Sequence, residues 1–379
     1  MKLLIKNIIV LFILIIFTEI FLWLAFPITY PIQDNTINTY IPSSHEKNKK
    51  LHFYSNEGLY GIDSNITFST NNFGFRGSNI TEKKEPKEYR IFLVGGSTTE
   101  NLYVTDTRSV EKQLEEKLNV NSSSNIKVSV LNAGKSGDIS TDHLSMIAHR
   151  INHLEPDLII LLAGINDLFR SIRGYDYLHM PTESKVNYLK ICRNILISLS
   201  QITRRILIIK NKISATNNIE KITFSTRYQD LFQDNQMLEI VRLDTEFSTK
   251  YFQNNLNSIV GLCKANNIDV ILMTQPTTWN STISTNIKKC HWMTKANETK
   301  RYSEVDLENL MSKFNNVTKS IADKHKLLLI DLEEIIPASE EYFFDDCHFN
   351  NGGADLLSNL LETVITQSNL IHTKESNRK

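Results

Sequence analysis

Hydrophobic positions along the chain fall into three regimes. From Ile8 to Phe26 runs a 19-residue apolar stretch, IIVLFILIIFTEIFLWLAF, interrupted only by Thr18 and Glu19. At about 1.5 Å per residue such a helix nearly matches the ~30 Å hydrocarbon core of a bilayer. Residues 31–88 are rich in Asn, Ser, Pro and Lys, with turn signals such as Asn71-Asn72-Phe73-Gly74, and read as a stem and lead-in segment. The run Glu82-Lys83-Lys84-Glu85-Pro86-Lys87 reads as its solvated boundary. From Tyr89 onward short, continuously apolar runs alternate with longer amphipathic ones. The runs at 89–95, 126–132, 157–163, 268–274 and 326–331 predict parallel strands buried on both faces. Helical spacing appears at 107–119, 140–153, within 183–266, at 302–324 and near 352–367. Strand–helix alternation predicts an α/β fold, a three-layer α/β/α doubly wound parallel sheet spanning 89–370, with a large insertion at about 170–250 and a polar tail at 371–379. In such sheets chemistry collects beyond the carboxyl ends of the strands.

The N-terminal stretch is expected to be a membrane anchor (residues 1–30). It exceeds the roughly 7–15 apolar residues of a cleaved leader and lacks a small-residue cleavage pattern. Lys2 and Lys6 precede it, and the twenty residues after it carry no Lys or Arg. The positive-inside rule then puts the N-terminus in the cytoplasm and everything after Tyr30 outside. Glu19, costing about 2.5–3.5 kcal/mol at mid-membrane, would mark a helix–helix contact.

Composition narrows the function. The 42 Lys+Arg balance 42 Asp+Glu, and the pI is near 7.1, so there is no basic field to gather nucleic acid. Four Cys without a CxxC pair predict neither a disulfide scaffold nor a zinc site. In an oxidising compartment Cys290 and Cys347, each preceding a His, are candidates for a bridge. Cys192 and Cys263 sit in helical patterns and read as buried apolar residues.

Four strand-end or C-terminal segments carry candidate chemistry. The first strand ends in Val94-Gly95-Gly96-Ser97-Thr98-Thr99-Glu100, the second in Asn132-Ala133-Gly134-Lys135-Ser136-Gly137-Asp138, and the third in Ala163-Gly164-Ile165-Asn166-Asp167. Alone, each fits an ordinary βα turn with a helix-capping side chain. Near the C-terminus comes Phe344-Asp345-Asp346-Cys347-His348. Asp345 and His348, three apart, can face the same side, letting the carboxylate accept from the imidazole Nδ1–H and leaving Nε2 to take a proton from a hydroxyl. Asp346 faces elsewhere and ranks below Asp345 as that partner. A metal held by Asp345, Asp346 and His348 is the weaker reading, since no fourth ligand is evident.

Together these blocks resemble the SGNH (GDSL-type) hydrolase superfamily, whose members contribute a Ser, a Gly, an Asn and a D-x-x-H in this order. The segment NNFGFRG (71–77) is similar to one found upstream of a GGST block in membrane-anchored bacterial members. The resemblance implies a flavodoxin-like SGNH fold, Ser97 as nucleophile, His348 as general base and Asp345 as its orienting partner. It further implies an oxyanion hole from the Ser97 N–H, the Gly137 N–H and the Asn166 side chain, with no cofactor or metal. Gly137 matches the block better than Gly134. Gly96 departs from the family's best-known members, which have Asp there.

The expected function is a membrane-anchored, outward-facing serine esterase hydrolysing O-acyl esters, acetyl on a cell-surface glycan above all. An O-acyltransferase with the same triad, or a non-catalytic glycan-binding module, are the alternatives. Residues 186–212 are strongly apolar yet punctuated by Lys190, Arg193, Arg204, Arg205 and Lys210. They allow either an amphipathic element on the membrane or over the site, or a pair of crossover helices covering the sheet. Tyr175, Tyr177 and Trp279 allow either stacking on a sugar or loop packing.

Overall fold

The structure, a computed structural model, describes residues 2–28, 45–55, 59–120, 126–174, 188–217, 220–222, 238–243, 248–280, 282–297 and 299–371. Tyr175 and Tyr177, most of the 371–379 tail and the first part of the expected stem lie outside the described residues. In chain order the elements begin with α1 (Lys2–Ala25), β1 (Lys50–Ser55), β2 (Asn65–Ser69), β3 (Arg76–Gly77), β4 (Glu88–Gly95) and α2 (Ser97–Glu100). They continue with α3 (Val110–Val120), β5 (Lys127–Asn132), α4 (Ser140–His149), β6 (Leu158–Leu162) and α5 (Ile165–Ile172). Next come α6 (Tyr188–Leu199), α7 (Gln201–Asn217), β7 (Glu220–Ile222), β8 (Glu239–Val241), α8 (Lys250–Ala265) and β9 (Asp269–Met273). Last are α9 (Thr285–Lys288), β10 (Lys300–Tyr302), α10 (Glu304–His325), β11 (Leu328–Ile330), α11 (Leu332–Ile335) and α12 (Asn351–Gln367). The chain divides into two compact units: residues 1–39 with 178–219, and residues 40–177 with 220–379.

The larger unit is built on a six-stranded sheet in the order β11-β9-β6-β4-β5-β3. Its first five strands are parallel and coincide with the five continuous apolar runs; numbered by sequence alone their order is 2-1-3-4-5, the flavodoxin-like arrangement. Successive side chains point to opposite faces. Phe92, Val94, Ile159 and Leu161 therefore pack under α4, α5, α8 and α10, while Ile91, Leu93, Ile160 and Leu162 pack under α3 and α12. In α10 the apolar positions Leu307, Leu310, Met311, Phe314 and Ile321 are at most 2% exposed. Each contributes roughly 1.5–3 kcal/mol by burial, so tertiary packing holds this helix.

The sequence pattern predicts a parallel sheet, and the sheet instead carries one antiparallel edge strand. β3, only two residues long, pairs antiparallel with the edge strand β5 through Arg76↔Asn132 and Gly77↔Leu131. Two residues offer no periodicity from which a strand can be read. The stretch expected as a stem also carries β1 and β2, which pair with each other and with β7. Arg76, from the NNFGFRG segment, is 2% exposed. Its guanidinium donates to the carbonyls of Glu100 and Asn101 at 3.3 and 3.1 Å and bridges the carboxylates of Asp106 and Glu111 at 3.2 Å each. The lead-in segment thereby braces the chain immediately after α2.

In the smaller unit α1 has no buried residue, and α7 packs against it. Glu19 accepts from the two amides that open α7, Gln201 N–H and Ile202 N–H (the latter at 3.2 Å), and from the hydroxyl of the preceding Ser200 at 3.1 Å.

Candidate active site

Three glycine-bearing turns at the carboxyl ends of β4, β5 and β6 converge on one opening. Ser97 follows β4 as the first residue of α2. Gly137 lies in the turn after β5 with φ +84°, a left-handed conformation that L side chains adopt only with strain. Asn166 is in the first turn of α5, its Nδ2 donating to the Asp138 carbonyl at 2.8 Å. Asp345 and His348 come from the turn before α12, which Asn350 caps by accepting from Gly353 N–H.

The structure brings Ser97, His348 and Asp345 into one hydrogen-bonded chain. His348 Nε2 is 2.8 Å from Ser97 Oγ, and His348 Nδ1 is 2.8 Å from both carboxylate oxygens of Asp345. With Nδ1–H donating to the carboxylate, Nε2 accepts from the hydroxyl. Asp345 is fully buried, and its Oδ1 also accepts from the backbone N–H groups of Cys347 and His348 at 3.1 and 2.9 Å. A buried carboxylate demands that many donors, and they hold it in one orientation. The imidazole lies nearly parallel to the Phe344 ring (5.6 Å, 14°) and to the Trp292 indole (6.4 Å, 17°).

Asp346 takes a different part. Its Oδ1 accepts from Trp279 Nε1 at 2.7 Å, and its Oδ2 from the backbone N–H groups of Trp292 and Met293 at 2.7 and 3.3 Å. Burial and the neighbouring Asp345 push its carboxyl up to about 6. Asp346 thus secures the loop that lays Trp292 beside His348. Trp279, a candidate for sugar stacking by sequence, is instead 1% exposed, and its indole N–H is spent on Asp346. Asp167, a candidate cap for its own helix, instead accepts from the Ser140 N–H at the start of α4 at 3.1 and 3.2 Å.

The turn carrying Gly137 is held from behind by Glu100. Its Oε2 accepts from Ser136 N–H at 3.0 Å and from Ser136 Oγ, and its Oε1 is 2.8 Å from His45 Nε2. Burial, with Asp142 and Glu100 adding like charge, pushes the Asp138 carboxyl up to about 7 against the opposing pull of Lys135 and Arg170.

Oδ of Asp345, Sγ of Cys347 and a ring nitrogen of His348 lie within 4.8 Å of one another. Both imidazole nitrogens are already bonded within the chain to Ser97, so this proximity follows from the tight D-x-x-H turn. Cys290 and Cys347 are buried and not bonded to each other. Burial, with Asp345 and Asp346 nearby, pushes the Cys290 thiol up to about 12, far from thiolate chemistry. Cys192, expected to be buried, is exposed, whereas Cys263 is buried in the core.

A cavity of about 480 Å³ opens over Ser97 and is lined by Ser136, Gly137, Asn166, Phe169, Arg170, Arg173, Trp292 and His348 as well. Phe169, Arg170 and Arg173 were not singled out by sequence reasoning. Their spacing from Asn166, i+3, i+4 and i+7 on one helix, is the signal that brings them to the same face. Trp292 lies in a loop and carries no such signal.

The GDSL-like lipase/acylhydrolase family model matches residues 93–356. No functionally curated protein matches the chain by sequence. Among solved structures, a GDSL-like lipase from Bacteroides thetaiotaomicron is 15% identical, with 76% of this chain and 93% of that one covered and a TM-score of 0.42. A lipase/acylhydrolase from Enterococcus faecalis is 16% identical over 74% and 96%, with a TM-score of 0.41. An acetylxylan esterase from Geobacillus stearothermophilus is 15% identical over 72% and 93%, with a TM-score of 0.39. The match from residue 93 to residue 356 takes in all four motif-bearing turns, and the chain belongs to the GDSL-like lipase/acylhydrolase family of ester-hydrolysing enzymes.

Proposed function

We propose that this enzyme is a membrane-anchored serine esterase that removes O-acyl groups, acetyl above all, from a cell-surface glycan. The observation that carries the reading is the unbroken chain Asp345–His348–Ser97, each link 2.8 Å, at the floor of an open cavity. Ser97 Oγ attacks the ester carbonyl as His348 Nε2 takes its proton. Asp345 holds the imidazole in the required tautomer and stabilises the imidazolium. The Ser97 and Gly137 N–H groups and the second Nδ2–H of Asn166 receive the developing oxyanion. His348 then returns the proton to the departing alcohol, and water resolves the acyl-enzyme by the same steps reversed. Preorganised donors of this kind are worth about 10²–10³ in kcat each. With α1 as the anchor and Lys2 and Lys6 inside, the catalytic unit faces outward, where a surface glycan is the available substrate.

The test incubates the full chain, in detergent or bilayer, with p-nitrophenyl acetate and with O-acetylated oligosaccharides. Free acetate from both, lost in Ser97→Ala, is the expected result. Acetate release surviving in folded Ser97→Ala would end the serine-esterase reading. Stoichiometric transfer of acetyl to added sugar with negligible free acetate would replace hydrolysis by transfer while keeping the same residues.

A further inference from the structure

We infer that the corner joining α6 to α7 is embedded in the hydrocarbon of the outer leaflet beside α1, so that the insertion is a second membrane-seated element. The inference rests on reading α1 as a membrane span and is independent of the esterase chemistry.

The argument starts from what a helix corner leaves unpaired. The last four carbonyls of α6 and the first four amides of α7 have no intrahelical partner. In water such groups need none from the protein. Here every one of the eight has a partner within the same unit. On the α6 side, Leu196 O accepts from Ser200 N–H at 2.9 Å, and Ile197 O and Ser198 O accept from Arg204 Nε and Nη2 at 2.8 and 2.7 Å. Leu199 O accepts from Trp23 Nε1 of α1 at 3.3 Å. On the α7 side, Gln201 N–H and Ile202 N–H donate to Glu19, Thr203 N–H to Ser200 Oγ at 3.0 Å, and Arg204 N–H to Ser200 O at 3.2 Å. Full internal satisfaction of backbone at a chain reversal is what a lipid environment requires.

The outer surface of the corner has the complementary character. Ile195, Leu196 and Leu199 are 50%, 58% and 69% exposed, as are Phe21 and Leu24 of α1 at 57% and 82%. Polar groups inside and apolar side chains outside invert the pattern of a water-facing helix pair. Depth agrees. Glu19 lies six residues before the end of α1 at Ala25, about 9 Å along the axis. The corner is tied to Glu19 and, through the Gln201 side chain, to the N–H and C=O of Ile28, so it reaches from the depth of Glu19 up to the outer end of the span. The charged groups link the corner to the outer end of α1: Arg204, whose Nε and Nη2 hold the corner carbonyls, donates from Nη1 to Ile28 O at 2.7 Å while its guanidinium lies 4.8 Å from the Trp23 ring centroid, and Arg205 donates to Phe26 O. That is the reach of arginines anchored at an interface. The carboxylate of Glu19, costly in lipid by itself, is matched by the positive end of α7 and three donors.

The test uses the full chain in phosphatidylcholine nanodiscs containing doxyl-labelled lipid, on a Cys192→Ser background. Single cysteines replace Leu199, Phe21 or Val120 and carry an environment-sensitive fluorophore; Val120 is 82% exposed in the larger unit and serves as the aqueous control. Doxyl quenching at Leu199 at least half that at Phe21, with none at Val120, is expected. Leu199 quenched no more than Val120, while Phe21 is quenched, overturns the inference alone. An unquenched Phe21 overturns the span and the inference together; p-nitrophenyl acetate turnover in the same discs reports separately on the esterase reading. Efficient Leu199–Leu199 cross-linking without quenching would make a second copy, not lipid, the occupant and overturn the inference too. Adding Glu19→Leu, which leaves three donors unmatched, should reduce Leu199 quenching by at least half, whereas Glu19→Gln should retain most of it. Unchanged depth in Glu19→Leu would overturn the role assigned to Glu19.

Discussion

A side chain at Gly96 and the amide of Asn166 cannot occupy the same space. A Cβ built on Gly96 would stand 2.6 Å from Asn166 Nδ2, closer than such contacts allow. The glycine lets the amide approach the turn that carries Ser97. Gly96→Ala should therefore displace the Asn166 amide and lower kcat on p-nitrophenyl acetate about 10²-fold, in the range for one lost oxyanion donor. Asn166→Ala should match it, and the double variant should add little. Turnover within twofold of wild type in Gly96→Ala would separate Asn166 from oxyanion binding.

Ser97→Ala and His348→Ala should each reduce ester cleavage by roughly 10⁴–10⁶, and the double variant should be little worse, because the residues act as a unit. Steady-state rates of the single and double variants check this; independent, multiplying losses would contradict a shared proton path.

Asp346→Ala should act on stability and on the site together. It strips the Trp279 indole and the Trp292 and Met293 amides of their acceptor. Unpaired buried donors cost about 1–3 kcal/mol each, so a loss of several kcal/mol in denaturant titration is expected. Asp346→Asn, retaining one acceptor oxygen, should lose less, and its kcat should fall only as far as Trp292 loosens beside His348. A variant as stable as wild type would show that the loop is held by other contacts.

The Asp138 carboxyl binds its proton more tightly in the folded chain, up to about 7, than the usual carboxylate does. Between the ordinary Asp range and pH 7 the folded state therefore holds more protons than the unfolded one, so this group's contribution makes stability fall as pH rises through that window and level off above it. Asp138→Asn removes the term. Its Tm relative to wild type should be more favourable at pH 8 than at pH 5. An offset independent of pH would locate the burial penalty elsewhere.

Sequence by itself determined the parts of this protein whose signal is local. Five continuous apolar runs could bury only as parallel strands, and the alternation with amphipathic helices left the doubly wound order as the solution. Strand ends in such a sheet must meet, so Ser97, Gly137 and Asn166 converge by topology, and the D-x-x-H spacing alone aligns Asp345 with His348. Tertiary structure decided what depends on residues far apart in the chain. The two-residue strand β3 exists only because the edge of β5 accepts it. Asp346 became a brace because a loop returning from β9 presents Trp279, Trp292 and Met293 to it. Glu19 meets Gln201 across 182 residues. No periodicity encodes such pairings: a buried carboxylate specifies how many donors it needs, but only the folded chain determines which segments supply them.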